Sequence, residues 1–327
     1  MQEDVGSRAL GKKEEPISEV SGKRSREVVK EGKGVMIVLT ASEIEMSDFN
    51  LNPFLAFAGG FPNSIVSRKL YPPLPCNPDG SARFAPYGLR KVETLLADRF
   101  GEENVVVTPP SNLHLFIGPA TKIIGISTMD PLGTGFVSRT YSSLLGLTGK
   151  PATLAEFEKL VKNPSIVNSE AKLVVGGAGA WQISEAGLQE SLGIDSILIG
   201  QSESSLVEIF EKALNGEMMP QSMVMDSPSI EDIPLIKNPS LYGVVEITRG
   251  CGRGCAFCSP TARQRISIPH ERVLKEVELN AKAGSRMIML QTDDVFLYQA
   301  QEHFLPNKEA IVKLIKAVDK VEGVEFI

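Results

Sequence analysis

The chain has 327 residues, of which 42% are hydrophobic and 23% are charged, and its formal net charge is −6. This composition is typical of a globular protein, and the length suggests two domains of moderate size. The mildly acidic balance argues against a dedicated nucleic-acid-binding protein, and no apolar run is long enough for a membrane-spanning helix.

The N-terminal segment 1–33 is rich in Lys, Arg and Glu and has no sustained apolar period. Such a segment predicts a solvated, charged tail. It lacks the basic-then-apolar plan of a signal peptide, so we expect a cytoplasmic protein.

From residue 34 to residue 216, short apolar runs alternate with segments of helical spacing. The predicted strands are 35–40, 105–108, 121–128, 172–175 and 196–199. The predicted helices are 86–100, 137–147, 185–191 and 205–214. Alternation of this kind indicates a parallel sheet with helices on both faces. The sequence therefore predicts an α/β domain of the flavodoxin-like, Rossmann type.

Two proline-rich segments interrupt this pattern. Residues 41–85 join the first strand to the first helix, and loops of that length in compact domains often carry function. A surface excursion without a role is the alternative. Residues 217–240 have little periodicity and predict a linker.

Residues 241–327 have a β-α-β-α-β pattern, with predicted strands at 242–248, 286–291 and 324–327 and predicted helices at 269–283 and 307–320. A complete β/α barrel takes about 250 residues. We therefore interpret this region as the N-terminal part of a barrel, and the sequence as a fragment with an uncovered strand edge.

Three of the four cysteines, Cys251, Cys255 and Cys258, form a C-x3-C-x2-C loop after the first of these strands. Three thiolates can hold three irons of a four-iron cluster and leave the fourth iron open for a small ligand. Glycines at 250, 252 and 254 let the backbone curl around such a cluster. The alternative is a structural zinc site with a distant fourth ligand, such as His270 or Cys76.

This loop resembles the signature of the radical S-adenosylmethionine superfamily, C-x3-C-x-(aromatic)-C, with Phe257 in the aromatic position. In that superfamily the open iron binds the amino and carboxyl groups of S-adenosylmethionine, and electron transfer yields a 5′-deoxyadenosyl radical. The resemblance implies a 4Fe-4S cluster, S-adenosylmethionine as a cofactor, and a small electron donor such as ferredoxin or flavodoxin.

The superfamily also places a carboxylate near the amino group of S-adenosylmethionine, after the second barrel strand. Here the sequence Gln291-Thr292-Asp293-Asp294 replaces the usual glycine–glycine–glutamate. The resemblance implies Asp293 for this role, with Asp294 as the second choice. Two solvated loop acids are the alternative.

The first domain resembles the cobalamin-binding domain that precedes the radical domain in one branch of the superfamily. Residues 172–177 and 193–203 carry the resemblance, with Gln201 where glutamate is common. Ligands of such sheets bind at the carboxyl ends of the strands. The residues that the resemblance places at the cobalamin are Ser127, Thr128, Gly176, Gly177, Gly200 and Glu203.

The loop after the first strand, 41–45, contains no histidine, so we expect cobalt without a histidine ligand from this loop. A domain that binds nothing is the alternative.

The resemblance as a whole implies cobalamin-dependent methyl transfer to an unactivated carbon. A cobalamin-independent or non-methylating radical reaction, such as ring formation, coupling or sulfur insertion, remains open, as does a metal-binding module. The substrate is not defined, because substrate contacts in barrels come from later strand-end loops.

Overall fold

A computed structural model describes residues 32–255 and 265–327 and contains a sheet of six parallel strands. The strands are β1 (Ile37–Thr40), β2 (Val105–Val107), β3 (Ile123–Ser127), β4 (Lys172–Gly176), β5 (Ser196–Ile199) and β6 (Ser222–Val224). Their order across the sheet is β2-β1-β3-β4-β5-β6. This order is the flavodoxin-like arrangement with one added edge strand, and the predicted fold class is confirmed.

Helices cover both faces of this sheet. They are α1 (Tyr87–Phe100), α2 (Leu113–Phe116), α3 (Phe136–Leu144), α4 (Ala152–Val161), α5 (Pro164–Val167), α6 (Ala180–Glu185) and α7 (Leu206–Leu214). Neighbouring residues of β1 belong to different cores, since Val38 packs with α2 and α4 on one face while Ile37 and Leu39 pack with α1 and α7 on the other. Burial on both faces explains why the strands are continuous apolar runs.

Three features of this domain differ from the sequence predictions. The helix predicted at 185–191 lies earlier, as α6, because Gly187 adopts a φ of +64° just after its end and a 3-10 turn follows at Glu190–Leu192. The helix α4 was not predicted. Residues 217–240, predicted as a linker, include β6, which pairs in parallel with β5.

The long segment 41–85 is not an unpacked loop. It contains three 3-10 turns, at Phe49–Leu51, Pro53–Gly60 and Arg68–Leu70. Its apolar side chains form a small core of their own with Ala152 of α4, which includes Phe49 and Tyr71. This packing holds the segment against the α/β domain.

The second region contains β7 (Val245–Glu246), β8 (Thr248–Arg249), β9 (Ile266–Ser267), α8 (His270–Lys282), β10 (Leu290–Gln291) and α9 (Lys308–Val318). β7 pairs in parallel with β10, and a single parallel bridge joins Met287 to Phe326. The segment with β7, the segment with Met287 and β10, and the segment with Phe326 thus lie side by side in chain order, as expected for the start of a β/α barrel. A buried core of Val245, Ile247, Val273, Val277 and Ile288 lies beneath α8.

The strands of this second region are shorter than the sequence predicts. The predicted strand 242–248 begins with a 3-10 turn, in which Tyr242 has a φ of +55°. The chain then changes partners, because β7 pairs with β10 whereas β8 pairs in antiparallel fashion with β9. The predicted strand 286–291 is reduced to β10 and the isolated bridge at Met287.

Polar contacts join the two regions through α1 and α8. Tyr87 and Lys91 of α1 both bind the buried carboxylate of Glu276 on α8, and Asn280 Oδ1 accepts a hydrogen bond from the backbone N–H of Ser240. These contacts bring the loop after β8 opposite the carboxyl edge of the six-stranded sheet. Over 32–255 and 265–327, no helix is long and apolar enough to cross a membrane.

Candidate active site at the domain junction

A cleft of about 390 Å³ lies between the carboxyl edge of the six-stranded sheet and the strands of the second region. Its inner part is apolar and lies on the sheet face covered by α1 and α7. The apolar lining consists of Leu39, Leu89, Val92, Val174, Leu198, Leu206 and Phe210. Its mouth is polar and includes Glu203, Glu246, Arg249 and Asp293. The cleft therefore combines an apolar channel with a charged rim.

Five of the six residues predicted at the cobalamin line this cleft, namely Ser127, Gly176, Gly177, Gly200 and Glu203. The sixth, Thr128, is 3% exposed, and its hydroxyl donates to Glu45 Oε1 at 3.2 Å. Thr128 thus lies behind the wall of the cleft and supports it.

The three strand-end glycines have different physical reasons to be glycine. Gly177 has a φ of +95°, and an added Cβ would lie 2.6 Å from the carbonyl oxygen of Thr128. Gly200 also has a positive φ, +105°. Gly176 has no positive φ, and its added Cβ would meet no atom closer than 3.8 Å. Backbone geometry therefore favours glycine at the first two positions, whereas at Gly176 the open space belongs to the cleft.

The cysteine loop follows β8 directly. Cys251 is half-buried and Cys255 is exposed, and both are free thiols. Gly250, Gly252 and Gly254 have φ values of +65°, +76° and +68°. This left-handed backbone curls the loop in the way the sequence predicts. Phe257 and Cys258 lie outside the described residues.

The described part of the loop is tied to both regions by one arginine. Arg249, the last residue of β8, donates from Nη1 to Glu203 Oε1 at 2.6 Å and from Nη2 to Glu246 Oε2 at 2.8 Å. Its Nε donates to Glu246 Oε1 at 3.0 Å. Burial acts to lower the pKa of Arg249, but the hydrogen bonds and charges of Glu246 and Glu203 outweigh it and raise the pKa. The guanidinium is a permanent cation at the cleft mouth.

The two aspartates after β10 have different surroundings. Asp293 lines the cleft, together with Gln291 and Thr292. Asp294 accepts a hydrogen bond from Arg253 Nη1 of the cysteine loop at 2.8 Å, and its other oxygen accepts from the backbone N–H of Phe296. Asp293 is thus exposed to the cleft, while Asp294 contributes to holding the cysteine loop.

Glu45 is a residue of this region that sequence reasoning missed. Its Oε1 accepts from the backbone N–H of Met129 at 2.8 Å and from Thr128, whereas its buried Oε2 has no hydrogen-bond partner. Burial raises the pKa of this carboxyl, and the hydrogen bonds reduce the shift. The signal in the sequence is an acidic residue in the loop 41–45, which follows the first apolar strand and contains no histidine.

The two residues that the zinc alternative would use as a distant fourth ligand, Cys76 and His270, lie in different parts of the structure. Cys76 Sγ accepts a hydrogen bond from Asn112 Nδ2 at 3.4 Å in the α/β domain, and His270 begins α8. Within the described ranges, no group of three or more His, Cys, Asp or Glu side chains is arranged to hold a metal ion.

No protein-family model matches the chain. Among curated proteins, tRNA-2-methylthio-N(6)-dimethylallyladenosine synthase of Thermotoga petrophila is 29% identical over 163 residues, which are 49% of this chain and 36% of that protein. Ribosomal protein uS12 methylthiotransferase RimO of Flavobacterium psychrophilum is 35% identical over 95 residues, 28% of this chain and 21% of that protein. The chain thus matches 36% of the first relative's length and 21% of the second's.

Among solved structures, the radical S-adenosylmethionine methyltransferase TsrM of Kitasatospora setae, with cobalamin and an iron–sulfur cluster bound, has a TM-score of 0.55 at 15% identity. The similarity covers 86% of this chain and 50% of TsrM, and at this identity it shows the fold. The chain is thus similar in sequence to methylthiotransferases over part of its length, and similar in fold to a radical S-adenosylmethionine methyltransferase.

Proposed function

We propose that this chain holds a 4Fe-4S cluster and cleaves S-adenosylmethionine reductively, and that the cleft at the domain junction binds cobalamin for methyl transfer to an unactivated carbon. The observation that carries the proposal is the position of the cleft. It opens from the sheet edge where open α/β sheets bind their ligands, and its mouth reaches Gly250, the residue before Cys251.

The cluster site fits the residues that are described. Within the loop from Gly250 to Cys255, one glycine with positive φ precedes Cys251 and two lie between Cys251 and Cys255. Both described thiols are free. Three cysteines suit a four-iron cluster with one open iron. When bound, the cluster supplies the electron that cleaves S-adenosylmethionine. The chain's own contribution is to bind the cluster through Cys251, Cys255 and Cys258. Arg249 and Arg253 fix the position of the loop.

The cleft also fits a large ligand with both apolar and polar parts. The apolar channel between α1 and α7 can accept a flat aromatic or alkyl group, and Gly176 leaves its wall open. The carboxylates of the charged rim, Glu203, Glu246 and Asp293, can accept hydrogen bonds from amide groups of a ligand. Cobalamin has all of these groups and, when bound, would supply a transferable methyl group.

Asp293 is the candidate for the amino group of S-adenosylmethionine. It is the acid of the β10 loop that faces the cleft, whereas Asp294 is paired with Arg253. A carboxylate in this position can accept hydrogen bonds from an ammonium group and orient it. Phe257 is the candidate for contact with S-adenosylmethionine on the motif side.

Sulfur insertion is the second candidate, because the curated relatives are named as methylthio enzymes. A second iron–sulfur cluster that donates sulfur would need further thiolate ligands. The chain has four cysteines, and only Cys76 lies outside the motif. This count favours a reaction that does not use a second cluster held by these residues.

The test is anaerobic reconstitution of the chain with iron, sulfide and hydroxocobalamin, followed by removal of unbound cofactor. We expect about one 4Fe-4S cluster and one corrinoid per chain, with 5′-deoxyadenosine and S-adenosylhomocysteine formed from S-adenosylmethionine after reduction by flavodoxin or a chemical reductant. A chain with a cluster but no corrinoid would favour the cobalamin-independent alternative. Stoichiometric zinc and no iron would favour a metal-binding module.

A further inference from the structure

The pair formed by Glu203 and Arg249 joins residues of two different regions at the cleft mouth. Glu203 follows β5 of the six-stranded sheet, and Arg249 ends β8 immediately before the cysteine loop. Their side chains are each 11% exposed, and the Nη1 to Oε1 distance is 2.6 Å. The contact is therefore a desolvated, charge-assisted hydrogen bond, which is stronger and more directional than a surface ion pair.

Arg249 is held from two sides. Glu246 binds its Nε and Nη2 as a fork, while Glu203 binds Nη1. Backbone pairing is short at this point, since within the described ranges β8 has two residues and pairs with β9, and the Thr248 hydroxyl also contacts that of Thr292. Gly250 follows with a φ of +65°. As a glycine it has no side chain that could anchor the chain. The guanidinium is thus a side-chain anchor two residues before Cys251.

Both partners also line the cleft. A ligand seated on the strand end from Gly200 to Glu203 would meet the same carboxylate that holds Arg249. A ligand in the cleft would therefore reach the cysteine loop through the contact between Glu203 and Arg249, with Glu246 as the second carboxylate on the guanidinium.

We propose that Arg249 is a positioning residue for the cluster loop, and that Glu203 acts through Arg249 to couple the cleft of the α/β domain to that loop. The inference rests on the proposed function, because it takes the loop to hold the cluster. It assigns Glu203 a role in orienting the loop that does not require contact with cobalamin.

The test uses Glu203→Gln, Arg249→Gln, the double variant and the control Glu211→Gln, all without cobalamin. Glu211 pairs with Arg99 in the exposed contact between α1 and α7, so the control removes an ion pair remote from the loop. The readout is the electron paramagnetic resonance spectrum and midpoint potential of the reduced cluster. We expect Glu203→Gln to shift both, Arg249→Gln to shift them further, and Glu203→Gln to have no additional effect when Arg249 is already replaced.

A second readout does not need the cluster. In the apo protein, the rate of iodoacetamide labelling of Cys251 is followed by peptide mass spectrometry, with Cys76 as the internal standard. We expect several-fold faster labelling of Cys251 in Glu203→Gln, and an unchanged rate at Cys76.

The outcomes separate the inference from the proposed function. A wild-type cluster together with a Glu203→Gln variant that matches Glu211→Gln in spectrum, potential and labelling would overturn the inference alone. Additive effects in the double variant would also overturn it, because Glu203 would then act without Arg249. A wild-type chain that takes up no iron would overturn the proposed function and the inference with it.

Discussion

The Tyr87 hydroxyl donates a hydrogen bond to Glu276 Oε2 at 2.7 Å, across 189 residues of sequence and between the first helix of the α/β domain and α8 of the second region. Lys91 Nζ and the backbone N–H of Ile236 bind the other oxygen of the same carboxylate. Burial together with the charge of Glu276 raises the pKa of Tyr87 well above its ordinary value. The tyrosine therefore stays protonated and remains a donor, and the junction that forms the cleft depends on this buried group.

Replacing Lys91 with Met should destabilise the chain strongly. The substitution leaves the Glu276 carboxylate, which is 3% exposed, without its cation, and removing one partner of a buried pair costs about 3–5 kcal/mol. Glu211→Gln, which breaks the exposed pair with Arg99, should cost no more than about 1 kcal/mol. Urea unfolding of both variants measures the free energies. Equal losses would contradict a special role for the buried pair.

Replacing Cys251, Cys255 or Cys258 with Ala should remove the 4Fe-4S cluster and all cleavage of S-adenosylmethionine, because in the proposed site each supplies one of three protein ligands. Cys76→Ser should keep both, since Cys76 contacts Asn112 and Leu74 in the α/β domain. Iron and sulfide analysis and 5′-deoxyadenosine formation are the measurements. Near-normal values in a triple Cys→Ala variant would reject the cluster assignment, and loss of metal in Cys76→Ser would support the zinc alternative.

Gly176→Leu should abolish corrinoid uptake and leave folding and the cluster intact. An added Cβ there meets no atom closer than 3.8 Å, so the larger side chain can extend into the cleft. Gly177→Ala is the comparison, because its φ of +95° and the Thr128 carbonyl 2.6 Å from the new Cβ should cost stability, about 1–2 kcal/mol from the backbone conformation alone. Retained corrinoid binding in a folded Gly176→Leu protein would place the ligand elsewhere.

The cob(II)alamin form should show no superhyperfine splitting from an axial nitrogen of the protein. No histidine is among the described residues that line the cleft, and His114 is an exposed residue of α2. Electron paramagnetic resonance of the reconstituted, partly reduced protein gives the answer. A nitrogen splitting that disappears in His114→Ala would show that the ligand binds in a different place or orientation.

Glu45→Gln should make stability less dependent on pH. Burial raises the pKa of Glu45 above its ordinary value of 4.5, so as pH rises the folded state keeps a proton that the unfolded state has already released. Wild-type stability therefore falls as pH rises from about 4.5 through the raised pKa. The Gln variant keeps an oxygen for Met129 and Thr128 and lacks this loss, so its Tm relative to wild type should rise over that window. A Tm difference that is constant across this pH range would contradict the shift.

Local sequence determined the motif and most of the sheet. The cysteine loop could be predicted because its cysteines and its three glycines lie close together in the sequence, and the structure gives each of those glycines a positive φ. The strands at 37–40, 105–107 and 196–199 could be predicted because burial on both faces leaves an uninterrupted apolar run. Four of the residues assigned by resemblance to strand ends, Ser127, Gly176, Gly177 and Gly200, lie together because parallel strands end at one edge.

Only the tertiary structure decided which side chains meet at that edge. Glu203 and Arg249 are 46 residues apart and Tyr87 and Glu276 are 189 apart, so no local period reports either contact. The strand β6 was missed for the same reason, since the exposed and partly exposed residues of Ser222–Val224 become a strand only because β5 offers a free edge. Amino-acid patterns encode local period and burial, whereas ion pairs and edge strands depend on surfaces that exist only once the two regions have packed.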